Sequence, residues 1–275
     1  MDWLLTPLSY GFMQRGLLAS TMVGILCAVI GCYVVLRSMA FLGDAMAHSI
    51  LPGVAIAYVF KTDLMIGALV AAIAVALGIG VISRRGNIKE DTAIGILFAA
   101  ALSLGVALIS TIKTYSVDLT HILFGNVLGV SETDLWITAI LGLVVLVTIV
   151  LLFKEFLVIS FDPVLAATIR LPAERLRILM LILIALTIVV SLQTVGVGLV
   201  AAMLVTPAAT AYLLTQRLPT MMILAAIIGA FSSIAGLYIS FYVNVASGAV
   251  VVLTASAIFL IVFIFAPRSG LLWRR

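Results

Sequence analysis

The sequence contains very little charge. Of its 275 residues only 9% are Asp, Glu, Lys or Arg, whereas 65% are hydrophobic. A soluble domain does not have this composition, so the sequence predicts an all-α polytopic membrane protein. The apolar character extends along the whole chain and leaves no room for a soluble domain of useful size. We therefore expect one membrane domain over residues 1–275.

Two further absences from the sequence limit the function classes to which the chain can belong. The sequence lacks the Gly-x-x-x-x-Gly-Lys-Ser/Thr pattern of a P-loop, so we expect no ATP binding by that motif. Cys27 and Cys32, the two cysteines, lie in one apolar run, which does not indicate a disulfide framework. The formal charge is +4, but the basic residues lie in short loops between apolar runs. That distribution is typical of membrane topology and does not indicate a nucleic-acid partner.

Hydropathy divides the chain into about eight or nine spans. Five charge-poor runs of helical length come first, at residues 16–36, 39–60, 64–83, 92–112 and 135–153. Residues 179–216 and 218–267 are each too long for one helix. We expect breaks within residues 193–198 and 244–248, which contain glycines and polar side chains. Residues 1–15 mix aromatic and polar side chains and are expected to form a short interfacial helix.

The basic residues predict the orientation of these spans. If Arg37 and the C-terminus lie inside, only Arg15, Lys61 and Lys113 of the fifteen Lys and Arg residues lie outside. A shift of the register by one span would reverse this bias. We therefore expect the N-terminus outside and the C-terminus in the cytoplasm, with residues 154–177 forming a cytoplasmic connection.

Asp44 is the only acidic residue inside a long apolar run, and His48, one of two histidines, follows four positions later. On a helix these side chains share one face. An ionisable group at membrane depth costs about 2.5–3.5 kcal/mol on insertion scales and typically marks an ion pathway. A carboxylate beside an imidazole is also half of a site for a divalent transition metal. The alternative is a hydrogen-bonded pair that only packs two helices, and Pro52 and Gly53 allow a kink or close packing there.

The connection at residues 154–177 contains a short predicted helix. Asp162 suits the N-cap and Pro163 the first helical position, so residues 164–169 are expected to be helical, with Pro172 ending the helix. Such a helix, parallel to the cytoplasmic face, would be a docking surface for a soluble partner. The pattern alone is equally typical of an interfacial connector. If ATP drives transport, another chain must hydrolyse it.

The run Gly-Asp-Ala-Met-Ala-His-Ser-Ile-Leu-Pro-Gly at residues 43–53 resembles the signature of the membrane permeases of bacterial manganese, zinc or iron ABC importers. Other blocks resemble the same family in order, namely Arg-Arg-Gly at 84–86 with Glu-Asp-Thr-Ala-Ile-Gly at 90–95, Leu-Phe-Gly-Asn-Val-Leu-Gly-Val at 123–130, Phe-Asp-Pro at 161–163 with Arg-Leu-Pro at 170–172, and Leu-Val-Thr-Pro-Ala-Ala-Thr-Ala at 204–211. The resemblance covers nearly the whole chain.

The resemblance implies the permease fold of an ABC importer and a homodimer in the bacterial inner membrane. A pair of cytoplasmic ATP-binding subunits and an extracytoplasmic metal-binding protein would be the partners. The transported substrate would be a divalent metal, and no cofactor would be permanently bound. The Leu-Pro-Gly ending at residues 51–53 favours manganese or iron over zinc.

The resemblance also assigns roles to individual residues. Asp44 and His48 match positions that line the metal path. The residues that match the helix contacting the ATPase are Phe161, Asp162, Pro163, Ala166, Ala167, Arg170 and Leu171. Many relatives have Gly where this chain has Arg170, which leaves the details of that contact open.

Two other function classes stay open at this point. A secondary transporter coupled to protons or sodium would use the Asp44–His48 pair without an ATPase. A structural membrane protein, or a permease for an organic cofactor, would show no metal dependence. In the outer segment, His121 near Asp118 is either a solvated histidine or an entry ligand. Glu132 and Asp134 are either solvated or contacts of a delivery protein.

Overall fold

The computed structural model describes residues 6–86, 88–111, 127–161 and 163–266, and within these ranges the chain is helical without strands. Two short 3-10 helices, Pro7–Ser9 and Val127–Gly129, lie among the α-helices. The α-helices of the described ranges are α1 Gly11–Leu36, α2 Leu42–Ser49, α3 Leu51–Val59, α4 Leu64–Arg85, α5 Glu90–Ser110, α6 Glu132–Leu151, α7 Phe153–Phe161, α8 Pro163–Thr168, α9 Ala173–Val195, α10 Val197–Leu214, α11 Leu218–Val243 and α12 Ser247–Phe265. The prediction of an all-α chain is confirmed.

Within the described residues, 9 stretches are long and apolar enough to cross a membrane. The helices α2 and α3 together form one of them, Leu42–Val59. The short helices α7 and α8 belong to none of the nine. The prediction of about eight to nine spans is confirmed at its upper value.

Both predicted breaks in the long apolar runs are found. Gly196, with φ 86°, separates α9 from α10. Asn244, with φ 56°, ends α11 in the left-handed conformation. Glycine and asparagine adopt positive φ more readily than other residues, because glycine has no Cβ and asparagine can bond locally. The sequence therefore marks both breaks by residue type.

The N-terminal segment differs from the expectation of a separate interfacial helix at residues 1–15. After the 3-10 helix Pro7–Ser9, α1 begins at Gly11 and continues without interruption to Leu36. No proline interrupts residues 11–16, and Arg15 is the only charge among them. One helix therefore includes residues 11–15 of the predicted segment together with the first span. Residues 1–5 lie outside the described ranges.

The second span is divided directly after His48. α2 ends at Ser49, Ile50 follows, and α3 starts at Leu51 with Pro52 in its first turn. Proline has no N–H, so it cannot donate to the carbonyl four residues earlier, which here belongs to His48. The helical pattern resumes where the N–H of Val54 donates to the carbonyl of Ile50 at 3.1 Å. The helix break that Pro52 allows is thus present beside the candidate metal ligand.

Contacts between Cα atoms group the chain into two compact units. The first unit comprises Met1–Val35, His121–Leu143 and Val190–Arg275, and α10, α11 and α12 pack on one another within it. The second unit comprises Leu36–Thr120 and Val144–Val189, and in it α2 to α5 pack together. The second unit contains both the Asp44–His48 pair and the predicted coupling segment. The expectation of one permease domain over residues 1–275 stays a prediction.

Candidate functional site

Asp44 and His48 lie on one side of α2, as their spacing predicts. His48 Nε2 is 3.5 Å from Asp44 Oδ1. The side chain of Asp44 is 47% exposed and that of His48 is 31% exposed. The six other residues of this helix are all buried. In a single copy of the chain, the ionisable pair therefore forms the accessible side of an otherwise buried helix.

Aromatic rings stand beside this pair. The ring centroid of Phe98, on α5, is 6.2 Å from that of His48. Phe41, at the start of α2, meets Phe98 edge to face at 5.5 Å. Packing against Phe98 restricts the imidazole of His48 on its α5 side. The nearest hydroxyl in the sequence, on Ser49, is engaged elsewhere, because it donates to the carbonyl of Ala45 at 2.6 Å.

The pair offers one carboxylate and one imidazole, which are two of the four to six ligands that a divalent metal takes. Within the described residues there is no group of three or more His, Cys, Asp or Glu side chains that could hold a metal ion. A groove of about 430 Å³ lies between α3, α4 and α5, and its walls are almost entirely apolar; neither Asp44 nor His48 lines it. The Asp44–His48 pair of one chain thus offers fewer ligands than a divalent metal takes.

The predicted coupling segment contains the expected short helix. Phe161 ends α7 with its side chain exposed, and α8 spans Pro163–Thr168. Ala166 is buried, and its carbonyl accepts the N–H of Leu171 at 3.0 Å, which closes the turn after α8. Asp162 lies outside the described residues. Pro163 and Ala167 belong to α8 by their backbone.

Arg170 has a left-handed backbone, with φ 57°. An L-residue with a Cβ is strained by about 1–2 kcal/mol in this region, whereas glycine is not. Glycine would therefore fit the backbone at this position better than arginine does. The positive φ gives a physical reason for glycine in this turn but none for the arginine that this chain has.

A buried charge cluster was not predicted from the sequence. Glu90, at the start of α5, accepts two contacts from Arg37 Nη2, at 2.8 Å to Oε1 and 3.0 Å to Oε2. Arg177 Nε also contacts Glu90 Oε1. The three residues are distant in sequence, so no local spacing indicates them. The feature of the sequence that could have indicated the cluster is that all three residues lie near the ends of apolar spans.

The outer carboxylates have local partners. Asp134 Oδ2 accepts both the hydroxyl of Ser131, at 2.6 Å, and its backbone N–H, at 3.1 Å. The amide of Gln193 donates to Asp134 Oδ1 at 3.2 Å. These bonds cap the start of α6. Glu132 is exposed, while Asp118 and His121 lie outside the described residues.

Comparison with known proteins identifies the class. Residues 9–266 match the model of the ABC 3 transport family. The chain belongs to this family. It is the membrane permease subunit of an ABC importer, and a separate subunit hydrolyses ATP. The chain is therefore a multi-pass protein of the cell membrane. Family membership favours this assignment over a secondary transporter.

Individual relatives are similar over almost their full length. The manganese transport system membrane protein MntC of Halalkalibacterium halodurans is 51% identical over 267 residues, covering 97% of this chain and 91% of the relative. A probable iron transport system membrane protein of Haemophilus influenzae is 42% identical over 274 residues, covering 100% and 97%. A solved structure, PsaBC from Streptococcus pneumoniae in complex with Fab, matches with a TM-score of 0.85 at 41% identity, covering 98% of this chain and 96% of that chain.

Proposed function

We propose that this permease moves a divalent transition-metal ion into the cytoplasm, with manganese the preferred ion and iron or zinc the alternatives. A relative 51% identical to this chain is named for manganese transport, and one at 42% for iron transport. Carboxylate oxygens suit manganese and imidazole nitrogens suit iron and zinc, so a site of one carboxylate and one imidazole per chain is compatible with these three ions. The metal is the transported substrate, and no resident cofactor is proposed.

The observation that carries this proposal is the exposure of Asp44 and His48 on an otherwise buried helix. Ionisable side chains within a span face a partner or a water-filled path, because lipid does not solvate them. A second copy of the chain, related by a two-fold axis, would present the same pair. Two copies together would supply two carboxylates and two imidazoles. The proposed permease is therefore a homodimer with one shared metal site on its axis.

We place the partner subunits by the proposed orientation, with the N-terminus outside and the C-terminus in the cytoplasm of a bacterial cell. Two ATP-binding subunits dock on residues 161–171 at the cytoplasmic side. Exposed apolar side chains of this segment support the assignment, because Leu165 is 45% and Ile169 is 53% exposed. An extracytoplasmic metal-binding protein delivers the ion from the other side.

Metal uptake into vesicles containing the permease and its ATP-binding subunits tests the metal path. We expect Asp44→Ala and His48→Ala each to lower manganese uptake by about tenfold or more, since each removes a ligand. Asp91→Asn is the matched control, because it neutralises an exposed carboxylate on α5. Parent rates in correctly assembled Asp44→Ala and His48→Ala complexes would contradict the assignment.

Mixed dimers test the shared site. A parent copy and an Asp44→Ala copy, carrying different affinity tags, can be isolated together and reconstituted. If both copies ligate one ion, the mixed dimer loses a ligand of the only site and transports far below half the parent rate. Two independent paths would instead leave half the parent rate, and that result would exclude the shared site.

A further inference from the structure

The cluster formed by Arg37, Glu90 and Arg177 has no part in the metal path described above. All three side chains are largely buried, with 13%, 18% and 19% of their surfaces exposed, in that order. The carboxylate of Glu174 lies beside Arg177, with Oε2 of Glu174 3.8 Å from Nη1 of Arg177. Within the cluster of three residues, Glu90 lies between the two guanidinium groups. Glu174 adds a second carboxylate beside the cluster.

Burial makes this cluster dependent on its own partners. Desolvation lowers the pKa of Arg37 from its usual range, the carboxylate of Glu90 opposes that shift, and Arg177 adds to it. A largely buried charge that loses its partner is unfavourable, because water only partly replaces that partner. Glu90 is the residue that both arginines share. Loss of the Glu90 carboxylate would therefore leave both guanidinium groups without the partner that they share.

On one side, the cluster is joined to the predicted coupling segment. Arg177 lies in the second turn of α9, which begins at Ala173. Two backbone hydrogen bonds link α8 to the start of α9: the N–H of Leu171 donates to the carbonyl of Ala166 at 3.0 Å, and the N–H of Ala173 donates to that of Leu171 at 2.7 Å. A shift of α8 would therefore move the start of α9 with it.

On the other side, the cluster is joined to the helix that carries the metal ligands. Arg37 directly follows α1, and only Ser38 to Phe41 separate it from α2. That connection is a tight turn, in which Leu42 N–H donates to the carbonyl of Met39 at 2.9 Å. Met39 is itself buried, which fixes the turn in the unit. Asp44 lies in the first turn of α2.

We propose that Glu90, held by Arg37 and Arg177, is a positioning residue that transmits movement of the coupling segment to α2. This proposal rests on the proposed docking of ATP-binding subunits at residues 161–171. Displacement of α8 would pass through the start of α9 to Glu90 and from there to the turn before Asp44. Ion pairs suit this task, because their attraction falls slowly with distance and persists through a small shift of the helix ends. Glu90 itself would not touch the metal.

The ratio of metal ions imported to ATP hydrolysed, measured in the same vesicles, tests this role. Glu90→Gln keeps the shape of the side chain but removes its charge. We expect its ratio to fall by about fivefold or more, the lower range of typical coupling between sites, and Glu90→Asp to restore part of it. Asp91→Asn, the exposed neighbour on the same turn, should keep the parent ratio.

A merely structural role would reduce uptake and ATP hydrolysis together, with an unchanged ratio, and that result would overturn the proposal. An equal fall in the Asp91→Asn ratio would also overturn it. If Glu90→Gln does not assemble, Arg37→Lys supplies the same measurement, because it keeps the charge but loses the planar guanidinium. If the parent complex neither binds ATP-binding subunits nor imports metal, the proposed function fails instead, and the two failures are thus distinguishable.

Discussion

Gly53, five residues after His48, lies where α3 and α4 approach most closely in their shared unit. A Cβ atom added to Gly53 would lie 2.1 Å from the carbonyl oxygen of Gly67 and 2.6 Å from Cβ of Ala71. Gly67→Ala on the facing helix meets the same obstacle, because a Cβ on Gly67 would lie 2.4 Å from the carbonyl oxygen of Gly53. These contacts are with backbone atoms and with the Cβ of an alanine, none of which can rotate away as a long side chain can. Gly53→Ala must therefore separate the two helices.

The expected cost follows from two opposing effects. Overpacking of a filled interior costs about 1–3 kcal/mol, and rigid backbone neighbours place this site at the upper end. Alanine in a helix recovers about 0.5–1 kcal/mol relative to glycine. The net loss in the free energy of unfolding is therefore about 2 kcal/mol. For a chain of this size that corresponds to a fall in the unfolding midpoint of about 4–8 °C.

Thermal unfolding of the detergent-solubilised protein measures this change. Gly95→Ala, inside α5, is the matched control, because a Cβ there meets no atom within 4 Å. The control should unfold at the parent temperature or slightly above it. If Gly53→Ala and Gly95→Ala unfold at the same temperature, the close approach of α3 and α4 is not the reason for glycine at position 53. Because α3 continues from α2, we also expect Gly53→Ala to lower metal uptake.

Further predictions use the same unfolding measurement. Arg170 has φ 57°, so Arg170→Gly should be more stable than Arg170→Ala by about 1 kcal/mol; equal stability would contradict the strain. Asn244, with φ 56°, should tolerate glycine, whereas Asn244→Val should cost about 1–2 kcal/mol; a valine variant as stable as the glycine variant would oppose this. Ser131→Ala removes the hydroxyl that bonds Asp134 at 2.6 Å and should cost about 1 kcal/mol, with Ser131→Thr near the parent; no difference between them would argue against the cap.

Features that depend on local composition could be predicted from the sequence. Hydropathy located the spans because the need to cross hydrocarbon sets both their length and their composition. The breaks at Gly196 and Asn244 were predictable because their residue types tolerate positive φ. The shared face of Asp44 and His48 followed from helical periodicity, and the 3.5 Å separation of their side chains confirms it.

Features that depend on distant contacts could not be predicted. The sequence places Glu90 at the start of a span, but only the fold shows that Arg37, separated from it by 53 positions, is its partner. The arginine at position 170 is visible in the sequence, but the positive φ that would favour glycine there is shown only by the fold. The extra turn of α1 before Gly16 was missed because a mixed polar and aromatic segment is compatible with an interfacial helix and with the start of a span.

In the proposed homodimer, the exposure of Asp44 and His48 would connect assembly with transport. A carboxylate that faces hydrocarbon costs about 2.5–3.5 kcal/mol, so two copies that face each other would remove two such costs and complete a four-ligand site in one step. Metal binding and dimer contact would then stabilise each other. When the copies move apart, the ion would keep two ligands of the four, and its affinity would fall without any change in ligand chemistry. The connection through Glu90 would place the energy input for that separation at the coupling segment.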